Sequence, residues 1–288
     1  MRRAWGPVLG ITATLAACAP PAAGPAGASS LGPSGTNDGV ECLRYSFAAD
    51  APRIEAVAAS FSTRPWPGAD QRARLAQQGI QAAIVRTADL EQVRKRLGTL
   101  TEVYRLPVGQ SPTWVQLARR DLGPGERLTV GSGFGQRALE GHALRLSVRS
   151  WLVPDAGAGS AHVETIAHLA SAEAPLSAMA GAPPTGTPLV DTRIECRLEE
   201  GETLLLLPCP PVPTGKGPAT SADLPPTAGM LLLGEPPHAL PEGLGRGYAT
   251  AIAISAQLPP SMRPAPLSVD SGAPIADTTH SKDARPDP

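Results

Sequence analysis

From Ala143 to Val153, Leu144, Leu146, Val148 and Leu152 alternate with Arg145, Ser147, Arg149 and Trp151. A period of two marks a strand with one buried face. Gly157 and Gly159 can turn the chain, and Ala161 to Ala170 reads as an antiparallel return with Val163, Thr165, Ala167 and Leu169 on one face. Val190, Ile194, Cys196 and Leu198 alternate in the same way with Asp191, Arg193, Glu195 and Arg197, so Cys196 is predicted to point inward. Glu199-Glu200-Gly201 supplies a tight turn, which predicts a hairpin into Thr203 to Leu207, a run apolar on both faces. Met230 to Leu233 and Tyr248 to Leu258 complete six strand-like segments, the pattern of an antiparallel sheet or sandwich.

The earlier stretch mixes periods. Asp70 to Gln78 reads as a helix stopped by Gly79, and Ile80 to Arg86 as a buried strand. Thr87 can cap a second helix that puts Leu90, Val93 and Leu97 on one face and ends at Gly98. Glu102 to Leu106 reads as a strand, and Ser111-Pro112 as the start of a helix through Trp114, Leu117 and Ala118. The predicted class is α+β: a small N-terminal α/β unit over residues 40–122, then an antiparallel β-rich part over residues 123–259 as a sheet or sandwich.

The two ends differ in composition from this body. Arg2 and Arg3 precede a short apolar run from Val8 to Ala17, and Leu15-Ala16-Ala17-Cys18 follows. A positive start, an apolar stretch too short to span a bilayer and small residues before a cut fit an export signal over residues 1–17. The four residues ending in Cys18 resemble the lipobox of bacterial lipoproteins. That resemblance implies lipidation of Cys18, such as by palmitate, with the membrane as a partner through that lipid. Ala19 after the cysteine is similar to the outer-membrane sorting pattern, which implies a lipid-anchored envelope location at the outer membrane, facing the periplasm or the outside. Of the 21 residues from Ala19 to Gly39, 17 are Ala, Gly, Pro or Ser, too few apolar groups to offset the entropy of ordering. Residues 18–39 are therefore expected to be a lipidated flexible tether, holding the body about 25 Å from the bilayer. The polar, proline-studded residues 260–288 are expected to be a disordered tail.

The segment from Thr192 to Leu207, with Glu200-Gly201-Glu202-Thr203 at its centre, resembles the late hairpin of bacterial secretins. Leu144 to Val153 and Ala161 to Leu169 are similar in order to preceding secretin strands, and Ala249 to Leu258 to the closing strand. The pattern departs after Leu207, where Pro208-Cys209-Pro210-Pro211 stands in place of the Gly-Gly and Pro/Leu/Gly signature that Gly234-Glu235-Pro236-Pro237 only echoes. The resemblance implies a secretin-like β fold in an envelope protein. Arg74-Leu75-Ala76-Gln77-Gln78-Gly79-Ile80 also resembles uncharacterised envelope proteins, which carry no activity over.

Charge and cysteine content narrow the chemistry. The 288 residues hold 25 Lys and Arg against 26 Asp and Glu, which gives no electrostatic reason to expect nucleic acid as a partner. The densest basic run, Arg94-Lys95-Arg96, falls beside Glu91 on a predicted helix and reads as a solvated face. With Cys18 committed to lipid, an oxidising compartment leaves Cys42, Cys196 and Cys209 for one disulfide and one leftover thiol, with three pairings open. No pair of them has CxxC spacing and no histidine is near in sequence, so no metal site is expected there.

Gly131-Ser132-Gly133-Phe134-Gly135 has neither dinucleotide nor P-loop spacing, and Ser132 is not in a GxSxG elbow. His162, Glu164 and His168 would share a strand face. His162 and His168 lie about 20 Å apart along an extended strand, too far for one ion, and are expected to face solvent. Trp66, Trp114 and Trp151 read as core anchors, and the proline-rich residues 208–226 as a loop. No catalytic residue, metal or cofactor is expected. The leading expectation is a non-enzymatic envelope lipoprotein with a structural, assembly or binding role and an unidentified envelope protein as partner. The alternatives are an accessory component of a secretin-type export or pilus machine, and an exported hydrolase whose catalytic residues converge only in three dimensions.

Overall fold

Runs apolar on both faces need cover on both sides, and Thr203-Leu204-Leu205-Leu206-Leu207 is such a run. In the computed structural model, which describes residues 38–98, 100–130, 135–138, 141–155, 158–174, 182–209, 226–234 and 248–264, this run is buried in the middle layer of three. The elements are β1 (Gly39–Ala48), α1 (Ala51–Phe61), α2 (Ala69–Gln77), β2 (Ile80–Arg86), α3 (Leu90–Leu97), β3 (Leu100–Gly109), β4 (Ser111–Asp121), β5 (Arg127–Val130), β6 (Gly135–Ala138), β7 (His142–Val153), β8 (Ser160–Ser171), β9 (Thr187–Pro188), β10 (Ile194–Leu198), β11 (Glu202–Pro208), α4 (Ala228–Leu233) and β12 (Tyr248–Gln257). The first sheet has the order β2-β11-β12-β1-β3 and the second β10-β8-β7-β4, with β9 on β8; β5 and β6 form a separate pair. Every strand pairing is antiparallel.

Alternate residues of the first sheet feed two cores. Leu205 and Leu207 join Leu43, Tyr45, Phe47, Val85 and Ala251 against Ile54 and Val57 of α1 and Leu90, Val93 and Leu97 of α3. Leu204, Leu206, Ile84, Ile252 and Ile254 face Leu144, Leu146, Val163, Leu169, Ile194 and Leu198 of the second sheet. The class is α+β, with α1 to α3 in the N-terminal portion, as the sequence predicts. The first sheet, however, draws strands from both sides of residue 122, because β11 and β12 lie between β2 and β1.

Three local expectations are corrected. Ser111 to Asp121 is the strand β4, not a helix. The Ser111 hydroxyl donates to the Thr113 carbonyl at 2.9 Å instead of capping a helix, and Thr113-Trp114-Val115, β-branched and aromatic, suits pairing with β7. Ala228 to Leu233 is a short helix, not a strand; the Thr227 hydroxyl accepts from the Met230 N–H, and a four-residue apolar run has no period that could tell the two apart. The turn at Glu199 to Glu202 forms, with Gly201 at φ 77° and the Glu202 N–H donating to the Glu199 carbonyl at 3.0 Å, yet β10 and β11 do not pair. β10 pairs with β8 and β11 with β2 and β12, so this turn carries the chain from one sheet to the other. Arg64 holds the corner through Glu202, at 2.9 Å, and the Arg197 carbonyl. Ile194, Cys196 and Leu198 are buried as predicted, whereas Val190 lies in an exposed turn.

β2 and α3 match the predicted segments, with Gly79 at φ 73° and Gly98 at φ 105° closing the helices before and after β2. Thr87 does not cap α3: its hydroxyl lies 2.8 Å from the Thr203 hydroxyl, and a short 3-10 turn from Thr87 to Asp89 leads into the helix. Residues 1–37, 99, 131–134, 139–140, 156–157, 175–181, 210–225, 235–247 and 265–288 lie outside the described residues. The expectations for the signal, Cys18 and most of the tether, the glycine-rich loop, the proline-rich loop and the tail fall on them, while Gly39 at the end of the expected tether already begins β1. Pro260 to Met262 are described, and the Met262 carbonyl accepts from the Gly159 N–H at 2.7 Å.

α4 docks through a glycine contact. The Gly229 N–H donates to the Gln78 carbonyl at 2.7 Å, and a Cβ on Gly229 would lie 2.2 Å from the Gly79 oxygen. Gly229→Ala is expected to lower stability by about 2 kcal/mol through overpacking against backbone, despite its better helix propensity. Gly201→Ala, where a Cβ meets open space, should cost only about 1 kcal/mol from its positive φ. Urea unfolding of the two variants tests this ordering.

Candidate functional site

Period-two alternation along β8 sends Ala161, Val163, Ala167 and Leu169 into the core between the sheets and puts His162, Glu164, Ile166 and His168 on the opposite face. Register sets what they meet. Across the β7 pairing, His162 faces Trp151, Glu164 faces Arg149 and His168 faces Arg145; across the β10 pairing, Glu164 faces Glu195 and His162 faces Arg197. Directly opposed residues on one face are in side-chain contact distance.

Glu164 is the hub. Its side chain is 5% exposed, and its two oxygens are taken by different arginines: Arg149 Nε donates to Oε2 at 2.6 Å and Arg193 Nη2 to Oε1 at 3.1 Å. Arg193 also donates to Glu195 Oε2 at 3.3 Å, and Glu195 is 51% exposed, so the network runs from interior to solvent. His162 stacks on Trp151 with ring centroids 4.2 Å apart, and its Nε2 lies 3.5 Å from Glu195 Oε1 and 3.9 Å from Glu164 Oε1. The Arg149 guanidinium carbon sits 4.8 Å from the Trp114 ring centre and 5.6 Å from that of Trp151, a cation–π arrangement that fixes the arginine from the other side. Trp114 is anchored by its indole N–H, which donates to the Ala182 carbonyl at 2.8 Å.

The ligand atoms of His162, Glu164 and Glu195 all lie within 4.8 Å of one another, a spacing that could hold a metal ion. The guanidinium of Arg193, however, already lies between the two carboxylates, and a cation entering there would have to displace it. Among the described residues no hydroxyl or thiol hydrogen-bonds to His162 Nε2, the arrangement that would activate a nucleophile there. The described side chains of the cluster pair their charges on an aromatic support.

The expected solvent exposure of the histidines is corrected. His162 is mostly covered and His168 is fully buried. Burial, followed by the positive charge of Arg145, pushes the His168 pKa down to about 4, against the polar backbone of Ile166, which acts in the other direction. His168 is therefore neutral in the fold at pH 7. Its pKa is lower folded than unfolded, so the unfolded chain binds the proton first and stability falls as pH drops from about 6.5 to about 4. Urea unfolding across that window should show this loss, and His168→Gln should flatten it.

Of the three cysteines expected to share one disulfide, Cys42 and Cys196 are free thiols. Cys42 belongs to the first sheet and Cys196 to the second, and each is held in the core by its own strand. Burial raises both thiols, Cys196 up to about 12 with Arg64 opposing the shift, and Cys42 further with help from Glu41. Both stay protonated and unreactive. Cys209 is half-buried at the end of β11, where burial also raises its thiol.

Comparison with family models, with curated proteins and with solved structures gives no match to this chain.

Proposed function

We propose that this chain is a lipid-anchored envelope protein, sorted to the outer membrane, whose folded body is a non-enzymatic module with a structural, assembly or binding role. The observation that carries the reading is Leu15-Ala16-Ala17-Cys18 behind Arg2-Arg3 and a short apolar run. The geometry of the two sheets supports it: in the second the carboxylates beside His162 are bound to arginines, and the buried thiols Cys42 of the first and Cys196 of the second are held protonated. Both faces of the first sheet are packed within the protein, which leaves its strands no lipid-facing band and favours a body outside the bilayer.

Cys18→Ser is expected to move the protein from the membrane fraction to the soluble fraction and to abolish incorporation of labelled fatty acid. Unchanged incorporation would defeat the proposal. The full chain in mild detergent should run as a monomer or small oligomer, whereas ring-shaped particles by negative stain would favour the secretin-type machine instead.

A further inference from the structure

A second polar patch lies on the outer face of the second sheet, beyond the Glu164 network along β7 and β8. Arg145 and His168 are register partners there, and Ser147 is two residues from Arg145 on the same face. All three are buried, Arg145 to 2% exposure and the other two to 0%. Arg145 Nη2 donates to the Ala172 carbonyl at 3.2 Å and to the Ser171 carbonyl at 3.5 Å. Among the described residues, Arg145 Nε, Ser147 Oγ and both ring nitrogens of His168 have no hydrogen-bond partner.

The contrast with the Glu164 network is one of charge. Arg149 and Arg193 each have a carboxylate, but among the described residues no carboxylate lies within 4.0 Å of the Arg145 guanidinium. The acidic group acting on it, Asp121, is bound by Arg119 at 2.7 Å, and Arg119 adds a second positive charge beside Arg145. Two guanidinium groups against one carboxylate leave the patch positive. A buried charge without a counter-charge, and buried donors without acceptors, are each costly, and an anion relieves both at once. The groups on this face match that occupant: a guanidinium N–H, a hydroxyl and a neutral imidazole N–H all donate. Arg119 and Asp121, whose charges act on Arg145, are exposed.

We propose that Arg145, Ser147 and His168 form a binding site for a small oxyanion, a carboxylate or phosphate group, held by Arg145 Nε–H, Ser147 Oγ–H and one ring N–H of His168. The proposal is independent of the lipid anchor and gives the body a ligand class. An anion at this place also favours the protonated form of His168, so occupancy raises the depressed pKa of that ring.

The test uses the full chain in mild detergent with histidine-selective NMR, titrating sodium phosphate or sodium acetate against sodium chloride at matched ionic strength. Saturable movement of the His168 ring signals is expected with phosphate, acetate or both, and which salt acts tells phosphate from carboxylate as the ligand. Arg145→Met should abolish it, and Ser147→Ala should weaken it on the order of tenfold. Arg193→Ala, in the neighbouring network, should leave it unchanged. If Arg145→Met does not fold, Ser147→Ala decides the matter. No saturable change beyond chloride, or binding by the variants equal to that of the unaltered chain, would overturn the proposal.

Discussion

Glu164→Ala is expected to lower the free energy of unfolding by about 3–5 kcal/mol, because it strips the counter-charge from two arginines, one of them mostly buried. Arg149 cannot simply turn to water, since it is wedged beside Trp114 and Trp151 and its guanidinium would stay covered without an acceptor. Glu195→Ala removes a carboxylate from the same network but from its solvent end, and should cost about 0–1 kcal/mol. The cycle is informative: combining Glu164→Ala with Arg149→Met should recover much of the loss, as the orphaned charge is removed with its partner. Equal costs for the Glu164 and Glu195 substitutions, read by urea denaturation, would mean that the buried hub contributes no more than a surface pair.

The second large effect concerns the way the chain is laid down. A fragment of residues 38–122 holds β1 to β4 and all three N-terminal helices, yet β2 does not pair with β1 in the intact protein. β11 and β12 stand between them, and Leu205, Leu207, Ala251 and Ala253 supply part of the core under α1 and α3. The fragment is therefore expected to be unfolded, with no cooperative thermal transition and no dispersed amide spectrum. Adding residues 123–264 should restore both at once. A fragment that folds alone would show that the first sheet tolerates closing without its middle strands.

How much of this was legible follows from which facts are local. β2 and α3 stand in the sequence because their apolar spacing and closing glycines lie within a few residues. The turn at Gly201 is equally local and forms as read. Whether its two arms pair is decided elsewhere, by the β12 and β2 partners that capture β11 and the β8 partner that captures β10. β4 misleads because Ser-Pro opens helices and extended segments alike, and its strand is fixed only by β7. Of the site, the alternation of β8 places His162, Glu164 and His168 together, but Arg149 and Glu195 reach Glu164 through register across three strands. The polar positions of β7 read as a wet face. Arg145 and Ser147 are instead buried, and the carbonyls of Ala172, on Arg145 and Arg119, and of Ala182, on Trp114, lie at that face.

The central claim is that the body is tethered outside the cytoplasm by lipid on Cys18, and the mass of the amino-terminal peptide of membrane-extracted protein tests it most directly. The account predicts a peptide that starts at Cys18, lacks residues 1–17 and carries diacylglycerol on the thiol, with palmitate among its acyl chains. A peptide that still begins at Met1, or one cut elsewhere with an unmodified Cys18, would contradict it.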